Sequence, residues 1–196
     1  MPYIGLDVGT SGCKASVVDA RGNVLDYRHC EYYTVSPQPG YMEVDANAVW
    51  AAVQKVLRGV ARPDITALAI ASFGEALVLL DRHDEVLANS IYYCDIRGID
   101  EVRDILEAID PREAERISGT RANPMFSANK LLWIKKHRPE LYNRADKLFL
   151  FGDYIGYKLT GQRRIDYSLA SRTMLFDIHN CRWSAELGGA LGLDVS

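Results

Sequence analysis

Asp7 stands between a short apolar run and a turn rich in glycine and hydroxyl groups, in the stretch YIGLDVGTSGCK that begins at Tyr3. Gly9 and Gly12 allow a sharp bend and a close approach of the backbone to a ligand. Backbone N–H groups of such a turn can converge on one concavity and bind phosphate oxygens. Thr10 and Ser11 add hydroxyl donors, and Lys14 adds a cation. A carboxylate has no direct attraction for phosphate, because two anions repel. Asp7 makes chemical sense there with a divalent cation between the two. Mg2+ commonly binds through one or two carboxylates, water and substrate phosphates. Two readings stay open on these residues alone. One is a nucleotide-phosphate loop with a metal-holding aspartate; the other is a β-hairpin whose glycine-rich turn is capped by Asp7. The spacing is not that of the GxxxxGK[ST] loop, which leads into a helix.

The elements around this turn set its geometry. Tyr3–Val8 reads as a short apolar strand, Cys13–Asp19 as a second, and Arg21-Gly22-Asn23 as the hairpin turn after it. Val24–Tyr33 alternates as a third strand, and Pro37, Pro39 and Gly40 mark a loop. Asp45 suits an N-cap, and Val49, Val53, Val56, Leu57 and Val60 give Ala48–Val60 helical spacing. Ile65–Ser72 is nearly all apolar, the pattern of a strand buried on both faces. A three-strand meander, a helix and a buried strand follow the order of the ribonuclease-H-like unit, which also underlies the actin-type ATPases. Further on, Leu77–Leu80 and Asn89–Tyr93 read as paired strands around the polar turn DRHDEV. Arg97–Ala108 and Ser127–His137 read as helices, Leu148–Phe151 as a short strand or helix lead-in, and Asp153–Leu159 as a helix stopped at Thr160-Gly161.

Bulk properties narrow the functional classes. The sequence of 196 residues, with 48% hydrophobic and 25% charged residues, can build one sizeable core without disulfides or a metal. A net charge of −3 offers no electrostatic case for nucleic acid or an anionic membrane. No apolar run reaches bilayer-spanning length, and the N-terminus lacks the basic start and apolar stretch of a secretory signal. The four cysteines, Cys13, Cys30, Cys94 and Cys181, form no CxxC pair and read as reduced thiols of a cytoplasmic protein. The final stretch WSAELGGALGLDVS reads as a helix and a turn with nothing after it to pack on, so the chain is expected to be part of something longer.

Several stretches, in order, resemble the N-terminal domain of the FGGY carbohydrate kinases, the family of xylulokinase and glycerol kinase. They are YIGLDVGTSGCKASVVD, ALAIASFGEALVLLD, NSIYYCDIRG, the long segment ISGTRANPMFSANKLLWIKKHRPELYNRADKLFLFGDYIGYKLTG and DYSLASRTMLFDIHNCRWS. The long segment is close to xylulokinase-type sequences. The resemblance implies an α/β, ribonuclease-H-like (actin-like ATPase) domain, with a mixed sheet flanked by helices, over 1–196, and with its C-terminal lobe absent. It implies an ATP-dependent kinase that phosphorylates a sugar or polyol hydroxyl with ATP and Mg2+ as cofactors. Asp7 would help hold Mg2+ and orient the transferred phosphoryl, while Gly9, Thr10, Ser11, Gly12 and Lys14 would face the nucleotide phosphates. Glu75 matches a glutamate that holds substrate hydroxyls in glycerol kinases, where xylulokinases have histidine. Gly74 replaces an arginine or methionine, Tyr93 a tryptophan that packs on substrate, and Met125 a substrate-binding tyrosine; Asp95 matches a xylulokinase aspartate. The family's general base, an aspartate, lies beyond the end of this chain, so this segment alone is expected to be inactive.

Other readings compete at particular residues. Ribonuclease-H-like nucleases also place a strand-end aspartate and a glutamate at a two-metal site, and Asp7 with Glu75 would be that pair. A non-catalytic sugar-binding module is the third reading. Asp95 and Arg97 either pair structurally or touch sugar. Trp50 and Trp133 sit at helical core spacing, Lys135–Arg138 reads as a solvated helix end, and Arg163-Arg164 as part of a turn. A strand made for a missing neighbour would leave an exposed edge, so a homodimer is an expected partner state alongside ATP and a small sugar or polyol.

Overall fold

Alternation builds the first sheet. The computed structural model describes residues 1–195; Ser196, the last residue of the terminal stretch, lies outside the described residues. In β1 (Tyr3–Val8), Ile4, Leu6 and Val8 are buried while Gly5 and Asp7 face solvent. β2 (Gly12–Val18) buries Cys13, Ala15 and Val17 and exposes Lys14. The two run antiparallel with Asp7 opposite Lys14. β3 (Val24–Glu31) follows antiparallel to β2 after a turn in which the Asp19 carboxylate accepts from the N–H groups of Arg21 and Asn23 at 2.8 and 2.9 Å. β4 (Thr34–Val35) and β5 (Glu43–Val44) pair beyond it. α1 (Ala46–Val60) starts where the Asp45 side chain accepts from Asn47 N–H at 2.8 Å. Its Val49, Val53, Val56 and Val60 are buried, and the helix packs on β2 and β3. β6 (Ala67–Ser72) then returns parallel to β1, giving the sheet order β3-β2-β1-β6. Meander, helix and parallel strand thus arrive in the expected order.

The burial expected of Ile65–Ser72 is corrected. β6 is the last strand of its sheet, with Ala67, Ala69 and Ala71 exposed and Leu68, Ile70 and Ser72 half-buried. An apolar run reports burial only where a neighbour covers it, and here none of the described strands pairs with the outer edge of β6. The strand buried on both faces is β7 (Val78–Leu80). Its alternate side chains serve two cores. Ala76, Val78 and Leu80 face the core beneath the four-stranded sheet, and Leu77 and Leu79 face a second, mainly helical one.

A second correction concerns pairing. β8 (Ser90–Ile91) pairs with β5, not with β7. The turn between them does form, with the Asp81 carboxylate accepting from His83 and Glu85 N–H, but the returning segment meets this strand region only at isolated antiparallel bridges, Leu80 with Val86 and Ala76 with Tyr92, and not along a continuous ladder. The helix expected from Arg97 begins later, as α2 (Glu101–Ala108). The Arg97 side chain turns inward onto acidic partners, and Gly98 takes φ 93°, which breaks helical continuity. α3 (Pro111–Ser118), capped by Asp110, is not among the expected helices; it buries only Ala114, Ile117 and Ser118, too few apolar positions to mark a helical period.

α4 (Ser127–His137) matches its expected limits. α5 (Pro139–Arg144) and β9 (Lys147–Phe149) follow, and β9 supplies the partner of β7. α6 (Phe151–Thr160) stops at Gly161 as expected. α7 (Tyr167–Arg172), the pair β10 (Phe176–Asp177) and β11 (Arg182–Trp183), and α8 (Ala185–Leu191) complete the described fold. Trp50 packs against the sheet core and Trp133 against the helical one, as their spacing suggested. At the basic end of α4, Lys136 faces Asp104 at 3.5 Å and Arg138 holds Glu140 at 2.8 Å, the pairing of a solvated helix end.

Candidate functional site

β1 and β6 end level with one another, Val8 opposite Ser72, and Phe73 N–H donates to Val8 O at 3.0 Å just beyond. The turn Gly9–Gly12 and the loop Phe73–Glu75 therefore leave the sheet side by side. The carboxyl ends of neighbouring parallel strands are where open α/β sheets bind ligands. Gly9 N–H donates to Gly12 O at 2.9 Å and closes the turn. Glycine is required at position 12, since a Cβ there would lie 2.8 Å from Cys30 O and 2.9 Å from His29 Nε2. Thr10 and Ser11 are exposed at the tip. The Asp7 carboxylate and Lys14 ammonium lie 3.6 Å apart at its base, both about half-exposed. On the inner side, the Tyr32 hydroxyl donates to Gly9 O and the Tyr92 hydroxyl to Thr10 O at 3.0 Å.

Glu75, at the end of the adjoining loop, is 4% exposed. Its Oε2 accepts from Ser127 Oγ at 2.9 Å, while Oε1 is buried with no hydrogen-bond partner among the described residues. Arg172 Nε stands 3.8 Å from that oxygen. Burial pushes the carboxyl up to about 8, against the pull of Ser127, Arg172 and Lys130. Ser127 opens α4 and Arg172 closes α7. The Arg172 guanidinium lies over the Phe126 ring at 5.1 Å, with Nη2 4.0 Å from Met125 Sδ. The structure thus brings Glu75 and Met125 to one place, joined by Arg172. A Cβ on Gly74 would meet only Leu169 Cδ2, at 4.0 Å, so the absent side chain leaves room there. Tyr93 is 42% exposed, edge-on to Tyr92 at 6.1 Å between centroids.

Asp95 is engaged by the protein itself. Its Oδ1 accepts from Arg97 N–H and Nε at 2.8 and 2.9 Å, and its Oδ2 from Met42 N–H at 2.6 Å and from Arg97 Nη2. Burial pushes this carboxyl up, but the Arg97 and Met42 donors outweigh it and hold it below the usual range. Arg97 also reaches Glu43 at 2.7 Å, with its guanidinium 4.1 Å from the Tyr41 ring centroid. Lys130, buried and pulled down by burial to about 8, donates from Nζ to Asp95 O at 2.7 Å and to Arg97 O. Of the two readings of Asp95 and Arg97, the geometry realises the ion pair, a brace beneath the Tyr92–Tyr93 segment. Ser127, Lys130, Arg172, Tyr32 and Tyr92 had no signal in residue type alone.

Among the described residues no group of three or more His, Cys, Asp or Glu side chains converges to hold a metal. A single open carboxylate, Asp7, fits a Mg2+ ion held otherwise by phosphate and water. It does not fit a two-metal nuclease centre, which needs a carboxylate cluster, and Glu75 is instead bound to Ser127.

Comparisons with known proteins bear on the family and the fold. The chain is 35% identical over 187 residues to xylulose kinase of Escherichia coli (strain K12), covering 93% of this chain and 38% of that protein. It is 33% identical over 194 residues to glycerol kinase of Thermococcus onnurineus (strain NA1), covering 94% of this chain and 39% of the other. The crystal structure of gluconate kinase from Lactobacillus acidophilus superposes with a TM-score of 0.90 at 28% identity, over 98% of this chain and 40% of that one. The chain therefore spans about 40% of the length of such relatives, and its fold is that of the actin-like ATPase domain these kinases share. With residues 2–196 matched by the profile of the family's N-terminal domain, the chain belongs to the FGGY family of carbohydrate kinases.

Proposed function

We propose that the full-length protein transfers the γ-phosphoryl group of ATP to a hydroxyl of a sugar or polyol, in the manner of a xylulokinase. Residues 1–196 would supply the phosphate hairpin and one wall of the sugar pocket. The observation that carries this reading is the shared exit of two chemically different loops: an open turn with Asp7 at its base, and a buried Glu75 with one unpartnered oxygen. Thr10 and Ser11 receive phosphate oxygens through amides and hydroxyls and Lys14 through its ammonium, while Gly9 and Gly12, joined by the Gly9 N–H to Gly12 O bond, let the turn approach them closely. Asp7 is the group that would hold Mg2+, which when bound offsets charge on the phosphates. Glu75 accepts hydrogen bonds from substrate hydroxyls, while Tyr93 and Met125 offer apolar surface and Gly74 gives room. Asp95 positions rather than touches, since its oxygens already have protein donors.

Phosphoryl transfer depends mainly on positioning and charge stabilisation. The base that the family resemblance implies lies beyond this chain, and closure of a second lobe would exclude water as a competing acceptor. All four cysteines are free thiols, which suits a cytosolic setting. Among the described residues no helix is long and apolar enough to cross a membrane. The test is a coupled ADP-release assay of the full-length protein against ketopentoses, polyols and aldonates. Turnover with one class is the expected result. Tight MgATP binding without turnover on any of them would defeat the proposal.

A further inference from the structure

We infer that Tyr32 and Tyr92 are positioning residues that clamp the inner side of the hairpin turn, so that the amides of Thr10 and Ser11 point outward as preformed phosphate donors. The inference rests on the phosphate-hairpin reading of Gly9–Gly12 and adds what orients it. Within a trans peptide unit the C=O and N–H point in opposite directions, and no cis bond occurs among the described residues. Gly9 O shares its peptide unit with Thr10 N–H, and Thr10 O shares its unit with Ser11 N–H. The Tyr32 hydroxyl holds the first carbonyl and the Tyr92 hydroxyl, at 3.0 Å, the second. Tyr32 N–H further donates to Ser11 O at 3.3 Å. Three successive carbonyls are thus drawn toward the protein. The amides of Thr10 and Ser11, whose side chains are exposed, have no acceptor among the described residues.

The two tyrosines arrive from different parts of the chain, Tyr32 just past β3 and Tyr92 just past β8, and both rings are buried, at 4% and 1% exposure. Each is fixed by packing. Tyr32 and Tyr92 belong to the sheet core, and Tyr92 stacks on Phe73 at 5.3 Å between centroids. Burial raises the Tyr92 hydroxyl to about 12 and Tyr32 further in the same direction, so both remain protonated donors over the working pH range. Without such struts, a turn with glycine at positions 9 and 12 would sample peptide orientations that aim carbonyl oxygens at the phosphate. Phe73 also links the clamp to Glu75, since it lies on the same short loop.

The experiment uses Tyr32→Phe, Tyr92→Phe and the double variant in the full-length protein; phenylalanine keeps each ring and removes only the donor. MgATP affinity should fall about three- to tenfold for each hydroxyl removed, with KM for MgATP rising and the dissociation constant for the accepted sugar unchanged. Wild-type MgATP affinity in a folded double variant would overturn the clamp. Amide hydrogen exchange of the unaltered protein carries the test even where a variant fails to fold. Thr10 and Ser11 should exchange freely without nucleotide and become protected with MgATP. Protection already present without nucleotide overturns the clamp. Free exchange that MgATP leaves unaltered overturns the hairpin reading itself, and the clamp with it.

Discussion

Asp7 and Lys14 form an ion pair across β1 and β2 at 3.6 Å, each about half-exposed. A pair in that setting is worth about 0–1 kcal/mol, too little for Asp7 to be explained by stability. Asp7→Asn should therefore leave the melting temperature nearly unchanged and the sugar dissociation constant intact, while kcat falls by about a hundredfold or more, as for loss of transition-state charge stabilisation. Normal turnover of the variant would reduce Asp7 to a turn residue. Glu75 differs because it is buried. Its folded-state pKa of about 8 exceeds the unfolded value of 4.5, so its contribution to stability is full below the unfolded value and is lost as pH rises through about 8. Glu75→Gln keeps an acceptor for Ser127 and removes the ionisation. Denaturation of that variant should show a flatter stability profile between those pH values, and calorimetry should show sugar binding about tenfold weaker. An unaltered pH profile with unaltered sugar binding would take Glu75 out of the site.

The hairpin turn shows how an element holds its residues. Gly12 faces Cys30 O and His29 on β3, so Gly12→Ala must part β2 from β3 at the point where the turn begins. Strain of this kind costs about 1–3 kcal/mol, and it should raise KM for MgATP more than KM for the sugar; equal changes in both would mean the turn is not a phosphate element. Much of this was legible from sequence because the signals are local. Period-two burial marks β1 and β2, Asp45 caps α1, and Gly161 ends α6. What the sequence hid depends on distant partners. The apolar run of β6 lies at a sheet edge, while β7, only three residues long, is the doubly buried strand because it lies between two cores assembled from distant parts of the chain, and its backbone partner β9 comes from nearly seventy positions away. Asp7, Glu75 and Met125 could be named by residue type and resemblance. Arg172, which stands between Glu75 and Met125, and the two tyrosine struts could not, since a lone arginine or a strand-end tyrosine carries no pattern.

At the scale of the molecule, two cores meet along β7, and the proposed site lies where they meet. The hairpin belongs to the sheet core, while Ser127, which bonds Glu75, opens α4, and Met125, which meets Arg172, packs on the helical core. ATP and sugar would thus be held by different cores, and the side chains of one short strand can separate the two. Val78, fully buried, faces the sheet core; Leu79, 4% exposed, faces the helical one. Truncation of either to alanine should cost on the order of 1–5 kcal/mol through lost contacts and a cavity. The consequences should differ in place. Val78→Ala should speed amide exchange in β1, β2 and α1 and raise KM for MgATP. Leu79→Ala should speed exchange in α4 and α8 and raise KM for the sugar, because α4 carries Ser127 and hence the position of Glu75. Saturating sugar should restore much of the loss in the second variant, since a ligand at a hundred times its dissociation constant adds about 2.7 kcal/mol to the state it binds. Exchange that quickens equally across both cores in both variants would mean that the cores unfold as one, and the division of the two substrates between them would have no energetic basis.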